Sequence, residues 1–175
     1  IPNGLIRGIR QASDFLMALQ LTGAYKRSAL ANLPVRLPAI VIGGGLTGID
    51  TATELRAYYV VQVEKVLERH ETLCRELGEA AAVRAYTAEE MEVLHEQLGH
   101  GRLIRDERAK AHAEGREPRF NALLDAWGGV SLAYRRGIND SPAYRLNHEE
   151  IEKFLEEGVT FIEHLSPKEA VPDQY

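Results

Sequence analysis

The sequence holds a single cysteine, Cys74, among 175 residues. An intramolecular disulfide is therefore excluded, and so is a cluster held on several cysteines of this chain. One unpaired cysteine fits a reducing, cytoplasmic setting, and Cys74 itself reads as a small buried packing residue. Apolar runs are short. None approaches the roughly 20 residues that a membrane-spanning helix needs, and there is no secretory leader pattern. Excess positive charge is also lacking. At a formal net charge of -5 there is no bulk basic field to draw in nucleic acid or an anionic membrane, and aromatic residues, at 7%, are few for a base-stacking surface. With 45% hydrophobic and 27% charged residues, what remains is a globular profile long enough for one full core. The first residue is Ile1 rather than methionine, which fits a segment of a longer protein.

The most informative stretch is Ala39-Ile40-Val41-Ile42, which reads as a buried strand, running straight into Gly43-Gly44-Gly45-Leu46-Thr47-Gly48. Helical character continues from Ile49. Glycines 43, 45 and 48 satisfy G-x-G-x-x-G in the strand-to-helix context that gives the pattern its meaning. The first lets the chain turn tightly, and the second has no Cβ to hold a pyrophosphate away. The third lets the helix pack close to the strand. N–H groups of the first helical turn then face the phosphates, assisted by the helix dipole. No Lys-Ser/Thr follows the glycines and no G-x-S-x-G occurs, which argues against a P-loop enzyme and a hydrolase elbow.

Taken in order, residues 1–37 read as a linker with one short helix, capped by Ser13 or Asp14 and ended by Gly23. From the glycines the helix has no stop before Gly78, and Val60, Val63, Leu67, His70, Cys74 and Leu77 form a seam along it. Thr87 and Glu90 make a capping box for a helix striped by Met91, Leu94 and Leu98 and closed by Gly99 and Gly101. Arg102–Ala113 reads as a further helix of mixed charge, and Phe120–Trp127 as another short one. Val130–Tyr134 is a second core strand, Gly137–Tyr144 a loop, Asn147–Glu157 a helix and Val159–Leu165 a third strand. The pattern predicts an α/β, Rossmann-like parallel sheet of about three strands, carried by residues 38–59 and 128–171. Residues 60–127 form a large helical insertion. His95 and His100 lack the spacing of a metal pair and read as surface histidines, while His70 and Cys74 on the seam offer only two ligands.

The end of the second strand bears on the ligand. In dinucleotide folds an acid there accepts from the ribose hydroxyls of NAD or FAD, whereas arginine pairs with the 2′-phosphate of NADP. This chain has Tyr134-Arg135-Arg136 and no acid, so the residues favour NADPH. The separation from Gly48 far exceeds the roughly 20 positions that are usual. Arg135 and Arg136 can reach a ligand on the glycines only if residues 60–127 are an excursion that returns the chain to the sheet.

Val41–Asp50 resembles the second glycine motif of the glutamate synthase small-subunit family, flavin-dependent and NADPH-using members of the pyridine nucleotide-disulfide oxidoreductases. Tyr134-Arg135-Arg136, Ser141-Pro142-Ala143, Glu149-Glu150 and Glu157–Phe161 resemble its continuation. The resemblance covers about Pro38–Ala57 and Gly129–Val171, and Pro2–Leu21 resembles the preceding linker. It implies that Gly43, Gly45 and Gly48 serve the pyrophosphate, with a hydroxyl contact from Thr47 near the phosphates and Gly44 and Leu46 in the same cofactor-binding turn, and that Arg135 and Arg136 serve the 2′-phosphate. Hydride would then pass from NADPH to an FAD on a domain absent from this chain, and electrons onward to iron–sulfur clusters of the parent protein or another acceptor. No residue here is expected to perform acid–base chemistry. The first FAD glycine motif and the N-terminal cysteine cluster are absent, and the 60–127 insertion is foreign to the pattern, so the chain is not expected to turn over alone. Two alternatives stand beside this: FAD binding by the same glycines, and an interaction module whose insertion docks a partner subunit.

Overall fold

In the computed structural model, which describes residues 1–172, the chain is α/β. Strands β1 (Ala39–Ile42), β2 (Val130–Ala133) and β3 (Thr160–Ile162) form one parallel sheet in the order β1-β2-β3. Ala39 through Ile42 lie level with Val130 through Ala133, and Ser131 through Ala133 with Thr160 through Ile162. The long helical excursion therefore does return the chain to the flank of the strand it left, giving a partial Rossmann-like sheet with a helical insertion. Val41 and Leu132 pack under α2 (Leu46–Leu77) and α7 (His148–Glu156). On the other face Ile40 and Ile42 remain 55% and 49% exposed.

Helix α2 runs unbroken from the glycine turn to Gly78, as its sequence predicts. A short α3 (Glu79–Val83) leads to α4 (Ala88–Glu114), which begins with the expected capping box: Glu90 N–H donates to Thr87 Oγ1 at 3.3 Å and Thr87 N–H to Glu90 Oε2 at 2.8 Å. The expectation that Gly99 and Gly101 close this helix is wrong. Both lie inside α4, which continues to Gly115, so Arg102–Ala113 is its second half and not a separate helix. Packing overrides propensity here. A glycine inside a helix costs roughly 0.5–1 kcal/mol, but a Cβ on Gly101 would sit 2.6 Å from the Val63 carbonyl oxygen and 3.0 Å from Leu67 Cβ. Gly101 is where α4 crosses α2 at close range.

The seam on α2 is real for its first half. Val60, Val63 and Leu67 are buried, Val60 and Val63 with Ile104 in the main core, Leu67 with Leu94 and Leu98. Beyond that His70 and Cys74 are half-buried and Leu77 is exposed. Val60, Val63, Ile104 and Leu124 of α5 (Phe120–Ala126) belong to the same core as Val41 and Leu132, so the inserted helices and the sheet share one interior.

Two smaller expectations are corrected, the cap of the first helix and the loop after β2. Helix α1 (Ala12–Leu21) is preceded by Gln11, without a side-chain cap, and Ser13 and Asp14 fall in its first turn. The stretch Lys26–Leu37 is tied down by polar residues on α2. The buried Lys65 ammonium donates to the carbonyls of Ala24 (2.9 Å) and Ala31 (2.6 Å), and Gln62 exchanges two 2.8 Å hydrogen bonds with the Val35 backbone. The loop after β2 contains a 3-10 turn at Ile138–Asp140 and a short helix, α6 (Pro142–Leu146).

His100 is also not a surface residue. Half-buried on α4, its ring stacks on Trp127 at 3.8 Å and its Nδ1 lies 2.8 Å from the Tyr59 hydroxyl. Burial pushes the Tyr59 phenol up, and burial also holds His100 below its ordinary value despite the opposing charge of Glu96. A histidine kept neutral in the fold takes up a proton more readily when unfolded. Stability is thus fully present above the ordinary value of 6.5 and is lost as pH falls below it. Thermal melts between about pH 7.5 and about pH 5.5 should show a fall in Tm that is smaller in His100→Gln.

Candidate nucleotide-binding site

The site is built at the carboxyl end of the sheet, where parallel α/β folds place their ligands. Gly43 adopts φ +128°, which side-chain-bearing residues rarely do, and its N–H donates to the Ala133 carbonyl at 3.0 Å, the last rung between β1 and β2. Gly45 is the N-cap of α2, and its carbonyl accepts from Gly48 N–H (2.9 Å) and Ile49 N–H (3.2 Å). A Cβ on Gly48 would lie 2.5 Å from the Gly43 carbonyl oxygen, so this position sets how closely α2 approaches β1. A Cβ on Gly45 would meet nothing within 4 Å. Packing therefore demands glycine at position 48, whereas position 45 opens onto free space.

Among the described residues, the N–H groups of Gly45, Leu46 and Thr47 have no hydrogen-bond partner. No acidic residue stands in the first turn of α2. Free amides therefore coincide with the positive end of a 32-residue helix. The Thr47 side chain is exposed at this turn and Leu46 is half-buried. One turn on, partial burial and then the nearby Glu150 raise the Asp50 carboxyl above its usual range.

Arg135 and Arg136 leave the end of β2, the strand beside β1, at the same edge of the sheet. At the end of β2 it is Tyr134 that meets the glycine turn, and beyond it the backbone pairs on the β3 side, the Tyr134 carbonyl accepting from Leu165 N–H at 3.0 Å and the Arg136 carbonyl from His164 N–H at 3.4 Å. Both arginines are exposed, and neither guanidinium has a hydrogen-bond or salt-bridge partner among the described residues. Glu163, just past β3, makes no salt bridge to either among the described residues, and its Oε1 accepts from Ile138 N–H at 2.6 Å. The sheet thus sets the glycine turn and the arginine pair past the carboxyl ends of adjacent strands.

Sequence reasoning missed what holds the turn. The Tyr134 ring lies against Gly44, where a Cβ would stand 2.8 Å from Cδ2. The Gly44 carbonyl accepts from Ala143 N–H at 3.1 Å. The only sequence signal was Ser141-Pro142-Ala143, a capping residue followed by proline at the first helical position.

Other constellations stay apart from this site. His70 Nε2 and Cys74 Sγ are 3.4 Å apart, but no group of three or more metal-ligating side chains occurs among the described residues. A cavity of about 110 Å³ between α2 and α4 is lined by Arg27, Glu64, Leu67, Glu68, Arg105 and Arg108, and a shallower one of about 380 Å³ lies at Leu30, Arg69 and Leu73. Neither touches the glycine turn. Among the described residues no helix is long and apolar enough to cross a membrane.

Compared with known proteins, the chain is 38% identical over its whole length to uncharacterized protein RP006 of Rickettsia prowazekii (strain Madrid E). It spans 22% of that protein's length. The alignment covers residues 60–127 together with the rest of the chain. No family model and no solved structure matches.

Proposed function

We propose that this chain binds NADPH and presents its nicotinamide to an FAD carried on another domain of a longer polypeptide, as part of an oxidoreductase. The observation that carries the reading is the placement, past the carboxyl ends of two adjacent strands, of a G-x-G-x-x-G turn with free amides after β1 and two unpaired arginines after β2. The amides suit a pyrophosphate and the guanidinium pair suits a 2′-phosphate. FAD bound by the same glycines is disfavoured because no acid ends β2. The chemistry of hydride transfer belongs to the nicotinamide and the flavin, and this chain's residues bind and orient. Iron–sulfur clusters would lie elsewhere in the parent protein. A second reading, docking of a partner subunit by the inserted helices, draws support from Leu73 and Leu77, which are 40% and 60% exposed at the far end of α2.

Calorimetric titration of the chain with NADPH and NADH tests the main reading. A hydrogen bond to a charged group is worth roughly 1.5–3 kcal/mol, or about ten- to a hundred-fold. NADPH should bind tighter than NADH by that factor, and the Arg135→Ala/Arg136→Ala double variant should bind the two alike. Equal affinities in the unaltered chain, or a preference surviving in the double variant, would refute it.

A further inference from the structure

Ala143 and Tyr134 have no part in the reading above, yet both meet Gly44, the residue between the first two fingerprint glycines, and Ser141 caps the turn that presents Ala143. Ser141 and Ala143 are fully buried at the start of α6. The first turn of α6 spends its donors locally. Pro142 has no N–H, Tyr144 N–H donates to Ser141 Oγ at 3.1 Å and Arg145 N–H to the Ser141 carbonyl at 3.2 Å. Ala143 N–H alone reaches out of the helix, to the Gly44 carbonyl at 3.1 Å. In a trans peptide the carbonyl and the following N–H point in opposite directions. Anchoring the Gly44 carbonyl on α6 therefore turns the Gly45 N–H away from α6, and that N–H has no partner among the described residues. The Tyr134 ring, in edge contact with Phe161 at 6.4 Å, packs on Gly44 on the side where a Cβ would project, 2.8 Å from its Cδ2.

We propose that the Ser141–Ala143 turn and Tyr134 are positioning residues that fix the Gly44–Gly45 peptide so that the Gly45 N–H meets the pyrophosphate of a bound dinucleotide. The inference rests on the nucleotide-binding reading and adds the device that pre-sets its phosphate contact. It accounts for glycine at position 44, which the fingerprint leaves free: any side chain there meets Tyr134.

The test compares two probes on the whole chain, NADPH and adenosine 2′-monophosphate, which keeps the 2′-phosphate but lacks the pyrophosphate. Binding is followed by amide NMR shifts, and folding of each variant by thermal melts. Ser141→Ala, which loosens the first turn of α6, and Gly44→Ala, which displaces the peptide, should each weaken NADPH about tenfold and shrink the NADPH-induced shift of the Gly45 amide. Both should leave adenosine 2′-monophosphate binding unchanged. Tyr134→Phe keeps the ring and should change neither ligand. Equal weakening of both probes, or unchanged NADPH affinity in folded Ser141→Ala, would overturn the positioning role while leaving the nucleotide site intact. Failure of the unaltered chain to bind either probe would instead remove the reading beneath it, and the inference with it.

Discussion

Asp125→Asn should destabilise the fold by about 3 kcal/mol, although residue 125 is solvent-accessible and lies outside the sheet. The reason is its partner. Arg56 on α2 is 3% exposed, and its guanidinium has one charged contact, Nη2 to Asp125 Oδ1 at 2.6 Å, plus the Asn121 carbonyl at 3.3 Å. Nε and Nη1 have no partner among the described residues. The group fills the space beneath the starts of β2 and β3, where a Cβ on Gly158 would lie 2.6 Å from Nη2 and one on Gly129 would lie 3.3 Å from Nη1. Breaking a buried ion pair from the carboxylate side leaves an uncompensated interior charge, which typically costs about 3–5 kcal/mol. Asp125 is half open to water, which sets the expectation at the low end. Replacing both partners, as Arg56→Met/Asp125→Asn, should recover much of the loss because the buried charge goes too. Urea denaturation measures this. A shift below about 0.5 kcal/mol in Asp125→Asn, the size of an ordinary surface substitution, would show that Arg56 does not depend on this carboxylate.

Gly48→Ala and Gly45→Ala should separate packing from ligand approach within one motif. At position 48 the new methyl would stand 2.5 Å from the Gly43 carbonyl oxygen, a backbone atom that cannot rotate aside, with Leu132 Cδ1 at 3.5 Å behind it. Helix α2 must then lift from β1, and overpacking of this kind costs about 1–3 kcal/mol. Stability and NADPH binding should fall together. At position 45 the methyl enters open space at φ -90°, which alanine adopts freely, so the melt should stay within about 1 kcal/mol of the unaltered chain. The same methyl holds a phosphate off the backbone, and NADPH should weaken at least about tenfold. Reversed outcomes, with Gly48→Ala harmless and Gly45→Ala unfolding, would contradict the assignment of the two glycines.

The order strand, glycine turn, long helix, strand was readable because each step has a local cause: β-branched residues, positive-φ glycine, a continuous amphipathic face. The capping box at Thr87 and Glu90 is equally local. What stayed hidden depends on partners distant in sequence. Gly101 reads as a stop until Val63 and Leu67 are seen across from it. Likewise, His100 reads as a surface residue until Trp127 and Tyr59 close around it. The placement of Arg135 and Arg136 past the end of the strand beside β1 depends on whether residues 60–127 fold back, which no local pattern decides. Tyr134 on Gly44 and the Ala143 hydrogen bond are contacts between segments about 90 residues apart in the chain, and only the sheet register brings them together.

The most direct measurement is an amide and arginine side-chain NMR titration of the chain with NADPH. Shifts of Gly45, Leu46 and Thr47 amides and of the Arg135 and Arg136 Nε–H groups should all saturate along a single binding curve, since one molecule would bridge them. Shifts confined to residues 60–127, or glycine and arginine groups following separate curves, would contradict a shared nucleotide site.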